Sequence, residues 1–211
     1  MTHYSWIVYA LGFLSQFFFS ARIVIQWFKS EKAHELVSPA SYWIFSIIGA
    51  YLMFIYGWMR DDFSILAGQA ISYYIYIWNM RDKGTWARIF PAMRWVLLLT
   101  PPVALAACMA DGDFIGDFFQ NENIPLALLV FGTAAQMFFS LRYVYQFYLS
   151  KKAGKSVMPT AFWVWSSVGA GMILIYAIIR RDPVLVVGQG SGLVVYLREV
   201  MIGVRASRRE K

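Results

Sequence analysis

This chain has one cysteine, two histidines and few charges: 15% of its 211 residues are Asp, Glu, Lys or Arg. Each shortage excludes something. A single thiol, Cys108, permits no internal disulfide and builds no thiolate metal cluster, and within an apolar run it reads as packing. His3 and His34 lie at a terminus and in a loop, too far apart in sequence to suggest a ligand pair. There is no glycine-rich phosphate loop and no Ser-His-Asp candidate, and the paired Asp61 and Asp62 read as turn formers, not as a metal site. The sequence therefore points to no metal, no cofactor and no enzyme activity. Lys and Arg outnumber Asp and Glu by 19 to 12, but no basic stripe interleaved with aromatics accompanies the net charge of +7, so nucleic acid is not the expected partner. The first apolar run has no basic flank before it and no small-residue cleavage site after it, and reads as a retained helix.

What fills the chain instead is apolar: 59% hydrophobic residues, 18% of the total aromatic. A soluble domain is nearer half apolar and a quarter charged, so the expected solvent is lipid. Spans are expected at residues 4–28, about 39–58, 63–78, 124–149, 158–179 and 183–201. The Ser38-Pro39 pair supplies an expected N-cap and first-turn proline, and Pro125 and Pro159 are expected in first turns.

These spans repeat. Residues 12–80 align on residues 132–200 at an offset of 120 without a gap, with 24 of 69 positions identical. Arg22/Arg142, Gln26/Gln146, Pro39/Pro159, Trp43/Trp163, Ser46/Ser166, Gln69/Gln189 and Tyr76/Tyr196 recur, as do Gln16/Gln136 and Ser20/Ser140. An ungapped match of this length is an internal duplication. The chain divides into a first triple-helix repeat at 1–80, a linker at 81–123 and a second repeat at 124–211.

The apolar run at 95–110 inside the linker is short and holds Pro101 and Pro102, so hydropathy leaves it ambiguous. Charge decides. If it spans, Lys29, Lys32, Arg81, Lys83, Arg88, Lys151, Lys152, Lys155 and the C-terminal basic residues share one face. The other face keeps Arg60, Arg180 and Arg181 beside Asp61, Asp62, Asp111, Asp113, Asp117, Glu122 and Asp182. Positive charge stays cytoplasmic. The expectation is an all-α integral membrane protein with seven transmembrane helices in a 3+1+3 arrangement of two parallel triple-helix bundles, N-terminus outside and C-terminus in the cytoplasm.

Arg22 and Arg142 sit inside helices near the cytoplasmic end, each followed four residues later by Gln26 or Gln146. A guanidinium in lipid is costly and offers a fork suited to phosphate, so the pair reads either as snorkelling side chains or as an anion seat. Gln69, Ser72, Tyr76 and Asn79 share one helical face, as do Gln189, Gly192, Tyr196 and Glu199. They read as interhelical glue or as a polar wall lining a path. Trp43/Trp163 and Ser46/Ser166 fall on neighbouring turns, with the tryptophans reading as an interfacial girdle or a sugar-stacking surface.

The pattern R-x3-Q-W-x2-S-E, S-P-x3-W-x2-S-x2-G and D-x5-G-Q, at residues 22–31, 38–49 and 62–69, resembles the lipid A biosynthesis N-terminal domain family. Its three-helix unit is similar to the PQ-loop superfamily, which includes the SWEET sugar transporters. The second copy departs at Phe147 and Lys151, and the first lacks a proline after Asp62. The resemblance covers nearly the whole chain and implies bacterial envelope glycolipid metabolism in the cytoplasmic (inner) membrane. The expectation it supports is a transporter or flippase of a polyprenyl-phosphate-linked sugar. Arg22 and Arg142 would hold the phosphate, Gln26 and Gln146 orient it, and Gln69, Gln189, Trp43 and Trp163 meet the sugar. A SWEET-like carrier of free sugar and a membrane scaffold for a lipid A enzyme or glycosyltransferase are the alternatives. A membrane lipid or lipid-linked sugar is the expected partner in the first case, a glycosyltransferase in the last, and the oligomeric state is open.

Overall fold

The computed structural model describes residues 5–60, 63–110 and 125–209. The expectations placed on His3, Asp61, Asp62, Asp111, Asp113, Asp117, Glu122 and the Cys108 side chain lie outside the described residues. Those described form α1 (Ser5–Ala33), α2 (Ala40–Met59), α3 (Phe63–Asp82), a short 3-10 turn (Trp86–Arg88), α4 (Pro91–Ala110), α5 (Leu126–Ala153), α6 (Thr160–Ile179) and α7 (Pro183–Arg209), with no strand among them. Five of these helices, α1, α2, α5, α6 and α7, are long and apolar enough to cross a membrane. Their outer faces carry Phe13, Phe17, Phe28, Val130, Tyr148, Ile175 and Ile178 exposed. Side chains of this kind face outward at low cost only where the surrounding medium is itself apolar.

The prolines start helices from one position further out than expected. Pro39 and Pro159 are themselves the N-cap residues, both in extended backbone with φ near −76° and −75°, and Pro125 caps α5 in the same way. Ser38 does not cap α2. Its hydroxyl accepts the Trp43 indole N–H at 3.1 Å and pairs with Ser156 Oγ at 2.8 Å, which ties the loop of one copy to the loop of the other.

The helices close into a ring. Within each copy the middle helix packs against both others, α2 between α1 and α3 and α6 between α5 and α7. Between copies α3 packs on α5 and α7 packs back on α1. The two seams are equivalent under the duplication, since each joins the third helix of one copy to the first helix of the other. Both seams are tied by residues from the C-terminal halves of the two helices, Gln26 with Glu199 and Asn79 with Gln146, so neighbours across them run parallel. The described part of α4 lies outside this ring, touching α3 where Tyr74 Oη donates to the Leu98 carbonyl at 3.1 Å.

The centre of the ring is aromatic. Trp43 and Trp163 are fully buried, Trp43 against Tyr76 with centroids 6.2 Å apart and Trp163 against Tyr196 at 5.9 Å. Tyr42 reaches Trp163 across the copies at 6.5 Å. Rings at these separations attract beyond their burial of area. Glycine sets the approach of α5 and α6: a Cβ on Gly169 would stand 2.7 Å from the Phe139 ring and 2.9 Å from its Cα. Backbone cannot swing aside, so Gly169→Val is expected to cost about 1–3 kcal/mol through overpacking. Thermal unfolding in detergent reads this as a lowered midpoint, with Gly171→Ala, whose new Cβ meets nothing within 4 Å, as the neutral control.

Candidate functional site

At the middle of the ring a polar cavity of about 40 Å³ is lined by residues from both copies in matching pairs. Arg22 and Arg142, Gln16 and Gln136, Gln69 and Gln189, and Tyr76 and Tyr196 all face it, with Ser20, Ser72 and Ser140 beside them. Helical spacing explains the set: α1 and α5 present positions 16, 19, 20, 22 and 23 of the repeat, α3 presents 65, 68, 69, 72 and 76, and α7 presents the matching Leu185, Gly188, Gln189 and Tyr196. The volume equals a few water molecules. It is too small for a sugar ring in this conformation.

The two arginines are buried, Arg22 with 4% and Arg142 with 1% of its surface exposed. Arg22 Nη1 donates to Ser46 Oγ at 2.7 Å, and Ser46 in turn donates to the Tyr42 carbonyl at 2.6 Å. Arg142 Nη2 donates to Tyr143 Oη at 3.0 Å, while Ser166, the counterpart of Ser46, bonds only back to the Phe162 carbonyl at 2.7 Å. Aromatic faces surround both cations. The Arg22 guanidinium carbon lies 4.4 Å from the Phe19 centroid and 5.9 Å from that of Tyr143, and the Arg142 carbon lies 4.6 Å from the same Tyr143 ring. Such faces stabilise a cation by roughly 0.5–2 kcal/mol each. Arg22 Nε, Arg142 Nε and Arg142 Nη1 are buried with no hydrogen-bond partner among the described residues, as is the Gln189 Oε1 acceptor. The ion pairs among the described residues, Arg60 with Asp182 and Arg198 with Glu31, involve neither cavity arginine.

The remaining residues singled out in the sequence have other places. Gln26 and Gln146 lie one turn further along, in the two seams. Gln146 Nε2 donates to Asn79 Oδ1 at 3.0 Å and Asn79 Nδ2 returns a bond to Gln146 Oε1 at 3.2 Å, while Gln26 Nε2 donates to Glu199 Oε2 at 3.1 Å. Trp43, Trp163 and Ser166 are buried in the core and do not line the cavity.

Sequence reasoning noted that Gln16, Gln136 and Ser140 recur but gave them no place in the site. Gln136 lies over Gly68 of the first copy and Gln16 over Gly188 of the second, so each amide crosses to the other repeat where there is no Cβ. Ser140 Oγ donates to the Gly68 carbonyl at 2.9 Å. Their recurrence at the 120-residue offset was the available signal. Asp182 was also missed, having been grouped with the charges of a turn. It is fully buried at the far end of the ring, capping α7 through the N–H groups of Val184 at 3.0 Å and Leu185 at 3.1 Å. Tyr56 Oη donates to it at 3.0 Å and Arg60 Nη1 lies 3.3 Å away.

Comparison with known proteins corrects the functional expectation. Lipid-A-disaccharide synthase of Chlamydia felis (strain Fe/C-56) is 28% identical over 98% of this chain and 35% of its own length. The protein of that name from Chlamydia pneumoniae is 28% identical over 89% of the chain and 32% of its own length, and that from Chlamydia trachomatis serovar D is 25% identical over 96% and 35%. The chain thus spans about a third of the length of the curated relatives it matches. These relatives bear the name of an enzyme, which overturns both the transporter or flippase reading with its alternatives and the expectation of no enzyme activity. The physical reason for the error is that family motifs set helix packing and carry no reaction chemistry of their own. No solved structure matches the chain. The lipid A half of the resemblance is the half that stands, without the PQ-loop and SWEET likeness. The Lipid A Biosynthesis N-terminal domain matches residues 11–81 and again residues 131–201, at the offset of the internal repeat, and the chain belongs to that family as two tandem copies.

Proposed function

We propose that this chain is the membrane-embedded part of an enzyme that makes the lipid A disaccharide, and that its paired guanidinium groups hold the phosphate of an acylated sugar. The observation that carries this reading is the pair of buried arginines on one cavity, with three unpartnered N–H positions and no carboxylate partner among the described residues. A phosphate accepts from such forks in two-point fashion and offsets both charges at once. The cavity, with room for a few waters, fits a phosphate better than a ring, so in this conformation the sugar lies outside it and the acyl chains remain in the bilayer.

In the same reading all seven helices cross the inner membrane of a bacterium in a 3+1+3 plan, two parallel triple-helix bundles with α4 as the reversing span. The N-terminus lies outside and the C-terminus in the cytoplasm. Supporting this, α1, α3, α5 and α7 all end in basic residues, Lys32, Arg81, Lys151 and Lys152, and Arg208 and Arg209. A cytoplasmic excess of Lys and Arg at helix ends orients a bundle.

The test is binding to the purified protein in nanodiscs, followed by native mass spectrometry. A phosphorylated acyl sugar is expected to be retained in competition with phosphatidylglycerol, and its phosphate-free analogue lost. Equal retention of the two sugars overturns the reading.

A further inference from the structure

The duplication makes each half of the ring a control for the other, and the two seams differ in the polar pair that ties them. Where α3 meets α5, the pair is Asn79 with Gln146; where α7 meets α1, the residue matching Asn79 is Glu199. In the first seam both amides are satisfied by each other, Gln146 Nε2 to Asn79 Oδ1 at 3.0 Å and Asn79 Nδ2 to Gln146 Oε1 at 3.2 Å. In the second seam only half of that exchange exists. Gln26 Nε2 donates to Glu199 Oε2 at 3.1 Å, while Gln26 Oε1 and Glu199 Oε1 are both buried with no hydrogen-bond partner among the described residues.

The orientation of the Gln26 amide is fixed by its surroundings. Its Nε2 also faces the Val37 carbonyl at 3.3 Å, an acceptor only, just as Gln146 Nε2 faces the Val157 carbonyl at 3.0 Å. Turning the amide over would set oxygen against oxygen. Two acceptors are thus left without a hydrogen at the place where the other seam has an N–H. An ionised carboxylate can only accept, and a fully buried one with an idle oxygen costs several kcal/mol. A carboxylic acid has the missing hydrogen.

We propose that Glu199 carries a proton in the folded protein and donates it to Gln26 Oε1, making the α1–α7 seam a proton-binding site between the two copies. The protonated acid does there what the Asn79 amide does in the α3–α5 seam, so one seam is permanent and the other holds only while the proton is present. The charged groups around it do not compensate a carboxylate. Glu31 of α1 and Arg198 of α7 pair with each other, and α6 has no Asp, Glu, Lys, Arg or His. Arg22 of α1, one turn before Gln26, is turned to Ser46 and the cavity, and Tyr196 of α7 lines that cavity too. The inference is independent of what the cavity binds.

The test uses the full chain in detergent and the substitution Glu199→Gln, whose Nε2 would supply the hydrogen permanently. The wild type at neutral pH is expected to show the infrared carbonyl stretch of a buried protonated carboxyl, and E199Q to lack that band. A group that keeps its proton more tightly when folded contributes stability at low pH and loses it as pH rises. The wild-type melting temperature is therefore expected to fall by about 3–5 °C per pH unit from the ordinary carboxylate range upward and to level off once the acid ionises in the folded protein, and that of E199Q to stay flat. A wild-type spectrum with no band removed by E199Q overturns the proposal, and so does a melting temperature that rises with pH. Stabilisation by sodium ions that E199Q abolishes would put a metal cation in the place of the proton and overturn it as well.

Discussion

Replacing Arg22 and Arg142 together by methionine is expected to give a protein that melts higher and no longer retains a phosphorylated acyl sugar. The two effects have one cause. Each guanidinium is buried with unsatisfied N–H groups and without an opposing carboxylate among the described residues, so the pair of charges is by itself a destabilising feature of the fold. Substituting buried ionic groups by apolar ones of similar volume is commonly neutral or stabilising by about 1–4 kcal/mol. A charge-assisted hydrogen bond contributes about 1.5–3 kcal/mol, so each arginine lost weakens phosphate binding by roughly 10- to 100-fold. Arg142→Lys, which keeps the charge and loses the planar fork, is expected to fall between. Nanodisc binding and thermal unfolding on the same preparations measure both quantities. Lower stability with unchanged binding would make the arginines structural.

Asp182→Ala is expected to be the most destabilising single substitution at the opposite end of the ring. The carboxylate is fully buried and does three things at once: it caps α7, accepts from Tyr56 and neutralises Arg60. Removing one member of a buried ion pair costs about 3–5 kcal/mol because the other charge is left uncompensated. Tyr56→Phe, which takes away the bond donated to Asp182 and the one accepted from Arg60 Nη1 but leaves the pair, is expected to cost only about 1–2 kcal/mol. Denaturant or thermal unfolding of the two variants side by side checks the ratio. Equal effects would mean that the ion pair and the cap contribute nothing beyond the tyrosine's bonds.

The helices and their duplication were legible because lipid forces long apolar runs and a gapless offset needs no structural knowledge to see. The paired arginines and Gln69/Gln189 were legible for the same reason, since polar residues stand out in such runs and recur 120 positions later. Ring closure was not, because a sequence that repeats gives no sign of which helices meet between repeats. Trp43 and Trp163 defeated pattern reading: an interfacial belt, a stacking surface and a core all favour tryptophan at one end of a helix, and burial alone separates them. Asp182 looked like any turn aspartate, and only the approach of Tyr56 and Arg60 from another copy makes it a buried cap. Ser38 was assigned a capping role by its place before Pro39, whereas its hydroxyl is taken by Trp43 and by Ser156 of the other copy.

Because each seam joins the third helix of one repeat to the first helix of the other, either repeat carries both halves of a self-complementary edge. A shorter ancestral gene encoding one repeat could have formed the same ring as a two-fold homodimer. The repeats are not equally suited to it: the first would pair Gln26 with Asn79 at both junctions, amide to amide, while the second would set Gln146 against Glu199 twice. With both repeats in one polypeptide the ring holds a single acid, where a homodimer of the second repeat would hold two.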